Sequence, residues 1–423
     1  MNYNRFLNHV GKARCSNPLR LAAAQAVSAK ESTVSLAGGM PNSEMFPFKE
    51  FLVKLRDGSE LTLEGKKLKQ ALQYGQSSGI PDLLAWLSKF QELQHSPPRW
   101  RHTPKDGGTT ICVTAGSQDA LSKSFEMMVD PGDNVIVENP TYSGALMALR
   151  PLGCHWVAVD TDQFGMVPEL LKQALSRWKP SDAANVESDI PKFMYINPTG
   201  SNPTGTTMSL ERKREIYQLA REYDLLILED DPYYFIQFSE MRIPSFLSID
   251  TDGRVIRFDS FSKMLSAGLR VGYVTGPGPL VEKLQFHIMS SIFHASSLSQ
   301  VLVSELVQQW GVDGYLKNAR SICTFYQSQR DLALSAAQKW LSGLAEWHTP
   351  QAGMFLWLKV KAIKDTKYLI EVRAVKKRVH FVAGCHFLAD SKQLCPYIRV
   401  SYSLATPSQL DLVSAAINPS SSD

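Results

Sequence analysis

The sequence predicts an α/β protein: a large domain with a mixed, mostly parallel sheet between helices, and a smaller α+β domain after it. Three observations predict this. From about residue 110, short apolar runs alternate with longer helical patterns. Several runs, Leu225 to Leu228 among them, are apolar at every position, as in a strand buried on both faces. After about residue 315 the pattern changes to a long helix followed by separated strand-like segments.

Taken in order, "TTICVTAGSQDALSKSFEMMVD" reads as strand, turn and helix, "DNVIVENPTYSGALMALRPLG" repeats the plan, and "CHWVAVD" adds a strand. Then come "KFMYINPTG", "LLILEDDPYY", "RVIRFDSFSK" and "GYVTG", each an apolar run closed by polar, Gly or Pro residues. Between them "SLERKREIYQLAREYD" spaces apolar residues by three and four with charges opposite. The stretches "HSPPRWRHTPKDGG" and "KPSDAANVESDIPK" read as surface loops. The last third offers the helix "YLKNARSICTFYQSQRDLALSAAQKWL", the strand "GMFLWLKV", a helix and the strand "PYIRVSYS". The layout expected is 1–55 as an N-terminal arm with part of the small domain, 56–315 as the large domain and 316–423 as the small one.

The 423 residues are 44% hydrophobic and 20% charged, with a net charge of +4, which gives no reason to invoke nucleic acid or a membrane surface. No run approaches the roughly 18 apolar residues of a membrane span. The six cysteines show neither C-x-x-C pairs nor zinc-ligand spacing, so reduced thiols in an intracellular compartment are expected. Arg5, Lys12, Arg14, Arg20 and Lys30 precede the first acid, Glu31. That is the composition of a mitochondrial transit peptide, and equally of a basic arm that stays.

Ligands of open α/β sheets sit beyond the carboxyl ends of the strands, so the residues there are the candidates. "AGSQ" places Ser117 and Gln118 at a helix start, suited to an anion or to plain capping. "EDDPYY" crowds Glu229, Asp230 and Asp231, which suits a cationic ring nitrogen, a metal less well without histidines, or a polar strand end facing water. "NPTGSNPTG" makes a tight turn that fails the Walker A pattern, and no G-x-G-x-x-G occurs. "DSFSK" puts Lys263 just past a strand end, where burial lowers an amine's pKa and lets it form an imine. Ser260, Ser262 and Arg270 around it suit a phosphate.

Together these residues resemble the fold type I pyridoxal-phosphate (PLP) enzymes, in the aminotransferase group with the aspartate-aminotransferase plan. The likeness runs from "SLAGGMPN" to "YIRVSYS" and, through "ALQY", "EDDPYYF", "DSFSK" and "GLAEWH", is similar to the kynurenine/α-aminoadipate aminotransferases. The resemblance implies that Lys263 holds the cofactor through its amine and shuttles a proton, and that Asp230 pairs with the pyridinium nitrogen. It implies that Tyr233 and Asn202 bond the ring's 3′ oxygen and that Tyr142 stacks on the ring. Ser117, Gln118, Ser260, Ser262 and Arg270 would hold the phosphate, with Tyr74 reaching over from the second subunit of a homodimer. Arg399 would grip the substrate α-carboxylate, Gly39 would line the substrate pocket and Arg20 would meet a distal carboxylate; Tyr74 and Asn202 also border the substrate. No metal is implied.

Of the two Asn-Pro-Thr-Gly frames, the family's Pro-x-x-x-Asn spacing selects Asn202 over Asn197, and Ala383 stands where relatives carry proline. The activity implied is transfer of the amino group of L-2-aminoadipate or L-kynurenine to 2-oxoglutarate by a ping-pong cycle, in the mitochondrial matrix or alternatively the cytoplasm. The alternatives are another amino-acid specificity or a PLP-dependent lyase. A regulator built on this fold is disfavoured, since thirty residues before "SLAGG" are too few for a DNA-binding module.

Overall fold

The computed structural model describes residues 1–18, 39–185 and 187–411. A short helix α1 (His9–Ala13) precedes strands β1 (Phe51–Lys54) and β2 (Glu60–Leu63), helices α2 (Gly65–Leu72) and α3 (Pro81–His95), strand β3 (Thr109–Thr114) and helix α4 (Ser117–Met128). Next come β4 (Asn134–Asn139), α5 (Ser143–Leu149), β5 (His155–Asp162), β6 (Gly165–Met166), α6 (Pro168–Leu175), β7 (Phe193–Ile196), α7 (Leu210–Glu222) and β8 (Leu226–Asp230). The rest is β9 (Val255–Ser260), β10 (Gly272–Pro277), α8 (Gly278–Ser291), α9 (Ser297–Leu341), β11 (Ala345–Glu346), β12 (Phe355–Val360), β13 (Val382–Ala383) and β14 (Tyr397–Ser401). Helix α9 is interrupted at Gly311, whose φ is 63°.

The chain divides into two compact units, residues 1–129 with 250–315 and residues 130–249 with 316–423.

In the first unit β10 pairs antiparallel with both β3 and β9. Its core includes a ring cluster in which Trp86 stacks on Phe90 at 4.6 Å and Tyr315 meets Phe90 edge-on at 5.0 Å. The pair β1–β2 was not anticipated, though its turn chemistry is plain: Ser59 N–H and Oγ–H donate to Asp57 Oδ1, and Gly58 takes φ 86°. The first residues of the basic N-terminal segment are built into this unit. Phe6 is fully buried, and Asn8 Nδ2 donates to the carbonyls of Glu126 and Val129 at the end of α4.

In the second unit β8, β7, β4 and β5 run parallel in that order, with β6 antiparallel on β5. β7 and β8 are buried at every position, as their unbroken apolar runs require. Helix α7 starts at Ser209, whose side chain accepts from Arg212 N–H, and buries Ile216, Tyr217 and Ala220. A separate antiparallel sheet follows the order β11-β12-β14-β13. Among the described residues, the two expected surface loops carry the 3-10 turns Pro104–Asp106 and Pro180–Ala184.

Candidate active site

Two groups of candidate residues form, one in each unit. In the first, register aligns the strand ends: Gly272 at the start of β10 stands opposite Thr114 at the end of β3 and Ser260 at the end of β9. The segments beginning at Ala115 and Phe261 therefore leave the sheet together, beside Arg270. Arg270 Nη1 donates to Ser262 Oγ at 3.2 Å and to the Ala267 carbonyl at 3.1 Å, and Nη2 donates to the Ala115 carbonyl at 3.4 Å. Ser262 N–H donates to Ser260 Oγ at 3.1 Å. Gly116 has φ 90°, and a Cβ there would collide with the Arg270 guanidinium. Helix α4 begins at Ser117 and Gln118 with no side-chain cap, so its positive end and Arg270 share one place. Beneath the turn, fully buried Arg257 forks onto Asp259 at 3.0 and 2.9 Å, and Gln91 adds a donor to the same carboxylate. Lys263 lies on this turn. Burial first, and then the Arg270 charge, pull its pKa below that of an ordinary lysine.

The second group centres on the ends of β7 and β8. The three carboxylates of "EDD" separate by strand alternation. Both Glu229 oxygens accept backbone N–H groups, from Phe246 at 2.7 Å and Leu247 at 3.2 Å, so Glu229 is structural. Asp230 is buried, and its Oδ2 accepts from Tyr195 Oη at 2.7 Å. Asn197 joins the group together: Nδ2 donates to the Asp230 carbonyl at 2.5 Å, Oδ1 accepts from Asn202 N–H at 2.7 Å, and its own N–H donates to Glu138 Oε2 at 2.9 Å. Gly200 holds φ 54° and packs so closely on Gly353 that a Cβ would lie 2.6 Å from Gly353 N, which accounts for the glycine in the first Asn-Pro-Thr-Gly frame.

Asn202 Oδ1 in turn accepts from Arg399 Nη1 at 2.9 Å. The Arg399 guanidinium lies 4.7 Å from the Phe355 ring centroid and 5.0 Å from that of Phe387. Its Nε is buried with no hydrogen-bond partner, and no carboxylate of the described residues pairs with it. Burial lowers its pKa, opposed by Tyr233 and Tyr142 nearby. Tyr233 is buried and its phenol pKa is raised, first by burial and then by the Asp230 charge. Tyr142 precedes helix α5 half-buried, and Gly144 leaves the space its ring fills.

Two expected residues of the described chain, Tyr74 and Gly39, join neither group. Tyr74 is 54% exposed, with its ring 5.1 Å from Phe293. Gly39 is exposed with open space around it, and Arg20 lies outside the described residues. Ala383 is buried on β13, whose Val382 stands opposite Arg399.

The model for "Aminotransferase class I and II" matches residues 47–417. The chain belongs to this family. Over 412 residues, spanning 97% of each chain, it is 50% identical to the kynurenine/alpha-aminoadipate aminotransferase, mitochondrial, of Bos taurus. The crystal structure of aminotransferase Aro8 from Candida albicans superimposes with a TM-score of 0.86 at 27% identity, covering 99% of this chain and 97% of that one. The Pyrococcus horikoshii kynurenine aminotransferase, solved in complex with PMP, KYN as substrates and KYA as products, gives 0.75 at 27% identity, covering 99% and 97%. This aminotransferase therefore has the fold the sequence predicted, and among its described residues no helix is long and apolar enough to cross a membrane.

Sequence reasoning passed over Glu138, Tyr195, Phe355 and Phe387, and ranked Asn197 only as a substitute. The signal available for Asn197 was its place directly after an all-buried strand. Glu138 is 1% exposed, and burial pushes its carboxyl pKa up to about 8. Since an unfolded Glu titrates near 4.3, the folded protein holds the extra proton between the two values, and stability must fall as pH rises through that window. Denaturant midpoints of the wild type are expected to decline from pH 5 to pH 8. Glu138→Gln should flatten that decline, and an unaltered slope in the variant would assign it to other groups.

Proposed function

We propose that this aminotransferase moves the amino group of L-2-aminoadipate or L-kynurenine to 2-oxoglutarate by a ping-pong cycle, using PLP as cofactor. One observation carries the reading of the substrate: a half-buried guanidinium, Arg399, held by Asn202 and two phenyl rings, with a buried Nε–H that no group accepts and no carboxylate partner among the described residues. Buried charges are paired as a rule, so the missing partner is a carboxylate brought by the substrate. The cofactor fits the residues present. The Gly116 turn with uncapped Ser117, Gln118, Ser260, Ser262 and Arg270 suits a phosphate dianion, and Lys263 has the lowered pKa that favours a neutral amine.

Bound PLP would supply the electron sink for the bond broken at the substrate Cα. The chain's residues do the rest. Lys263 Nζ would hold the cofactor through its amine, and the same nitrogen would move the proton at the substrate Cα. Asp230, kept in place by Tyr195, would hold a proton on the ring nitrogen. Tyr233 and Asn202 would donate to the ring oxygen, and Tyr142 would cover the ring face. Arg399 orients every substrate by the carboxylate they all share, while Gly39 and Arg20 would border the distal end. Tyr74, exposed on the single chain, would reach the phosphate of a partner subunit in a homodimer. Residues 56–315 would form the cofactor domain, with 1–55 and 316–423 flanking it. The matrix of mitochondria is the proposed compartment, from the basic N-terminal segment and the names of the relatives.

Absorbance of the PLP-loaded enzyme tests the activity. Adding L-2-aminoadipate or L-kynurenine without an oxo acid is expected to shift the cofactor band, and adding 2-oxoglutarate to restore it. Neither amino acid shifting the band would overturn the donors named here. Continuous product release without an acceptor would replace transfer by elimination.

A further inference from the structure

In the first unit the chain turns between helices α8 and α9, and Phe293 in that turn has an uncommon backbone. Its φ is 70°, in the left-handed region, while its N–H closes α8 on the Ile288 carbonyl at 2.9 Å. Glycine or asparagine normally fills such a closing position, and a bulky residue there is strained. Glycine would end the helix without that strain, so what Phe293 adds is its ring. The ring meets Tyr74 edge-on, with centroids 5.1 Å apart and planes at 71°.

The next residue holds the same segment by its backbone. Residues 74–76 belong to no helix or strand, so the Gly75 N–H needs a partner from elsewhere. It donates to His294 Nε2 at 3.1 Å, and the His294 ring lies 6.2 Å from that of Tyr74. His294 Nδ1 is 2.7 Å from the Ala295 carbonyl, which accepts only, so Nδ1 carries the proton and Nε2 is left as an acceptor. Ser77 Oγ–H then donates to the Phe293 carbonyl at 2.7 Å. Three contacts from one strained turn therefore bracket Tyr74, whose own side chain stays 54% exposed.

We propose, on the reading of Tyr74 given above, that His294 is a positioning residue for the cofactor phosphate of the partner subunit and acts through Tyr74. The Gly75 hydrogen bond fixes the peptide that follows Tyr74 and so aims its Cα–Cβ bond. The Phe293 ring limits where the phenol swings. An exposed tyrosine held this way gives up less freedom when it meets the phosphate, which is how preorganisation strengthens binding. Strain kept in a ligand clamp has the same logic.

The test is the dissociation constant of PLP, measured by dialysing the PLP-loaded enzyme against graded PLP. Tyr74→Phe keeps the ring contact but loses the hydroxyl, and should weaken binding about tenfold, the lower end for a hydrogen bond to a charged group. His294→Phe keeps a ring without an acceptor for Gly75 N–H, and should weaken binding about fivefold, as for one neutral hydrogen bond. His294→Gln, whose side-chain oxygen can take that N–H, should recover most of the loss. The double variant decides whether His294 works through Tyr74. Tyr74→Phe with His294→Phe should lie within about twofold of Tyr74→Phe alone. Independent effects would multiply to about fiftyfold and overturn the proposal, as would unaltered affinity in His294→Phe. Should His294→Phe fail to fold, Ser77→Ala, which removes the donor to the Phe293 carbonyl, takes its place in the same cycle. Unaltered affinity in Tyr74→Phe would withdraw the reading of Tyr74 and this proposal with it. The transaminase reading would stand in every case, because the band-shift experiment does not depend on Tyr74.

Discussion

Lys263→Ala is expected to slow half-transamination by about a thousandfold or more, the range over which a positioned proton-transfer group acts. Two separate roles end together, since the same nitrogen would attach the cofactor and move the Cα proton. The phosphate-holding residues are untouched, so PLP should still bind, but reversibly, with the spectrum of a free aldehyde. Single-turnover absorbance with L-2-aminoadipate measures the effect, and a rate within tenfold of the parent would remove Lys263 from the chemistry. A second readout follows from the lowered pKa. Without cofactor, the folded state sheds this proton at a lower pH than the unfolded state does. The wild type should therefore gain stability as pH rises from that lowered value toward 10.5, and Lys263→Ala should lose that increment.

The site was legible in the sequence to the extent that strand ends are. An all-apolar run announces a buried strand, and polar residues crowded at its end have few reasons to be there other than chemistry. Alternation along β8 then divides the work, sending Glu229 to backbone N–H groups and leaving Asp230 to Tyr195. What could not be read was partnership across distance in the chain. Phe355 and Phe387 flank Arg399, yet in the sequence they are ordinary apolar residues of a strand and a turn. The ranking of Asn202 over Asn197 came from family spacing and set them apart, whereas the hydrogen bonds make Asn197 the support on which Asn202 rests. Composition left the basic N-terminus open between a transit peptide and a retained arm, and it could not show that Phe6 is buried or that Asn8 donates to the end of α4.

Arg399 separates function from folding more sharply than any other residue of the second group. Arg399→Leu should lower kcat/KM by about a thousandfold for the amino donor and the 2-oxo acceptor alike, since both would be oriented by the same fork. Charged hydrogen bonds of about 1.5–3 kcal/mol each, two at a time, give that order of magnitude. Arg399→Lys retains a charge but not the planar pair of donors, and should recover no more than about a tenth of the lost activity. The stability change should have the opposite sign. A half-buried guanidinium, with a bare Nε and no carboxylate partner among the described residues, is a burden on the empty fold. Leucine between Phe355 and Phe387 relieves it, so the cofactor-free variant should unfold at a denaturant concentration equal to or above that of the wild type. The cation–π contacts set the limit of this argument at about 1–2 kcal/mol. Loss of stability well beyond that, with transamination retained, would make Arg399 a structural residue and withdraw the observation on which the substrate reading rests. Loss of activity without loss of stability is what a side chain held ready for a substrate carboxylate must show.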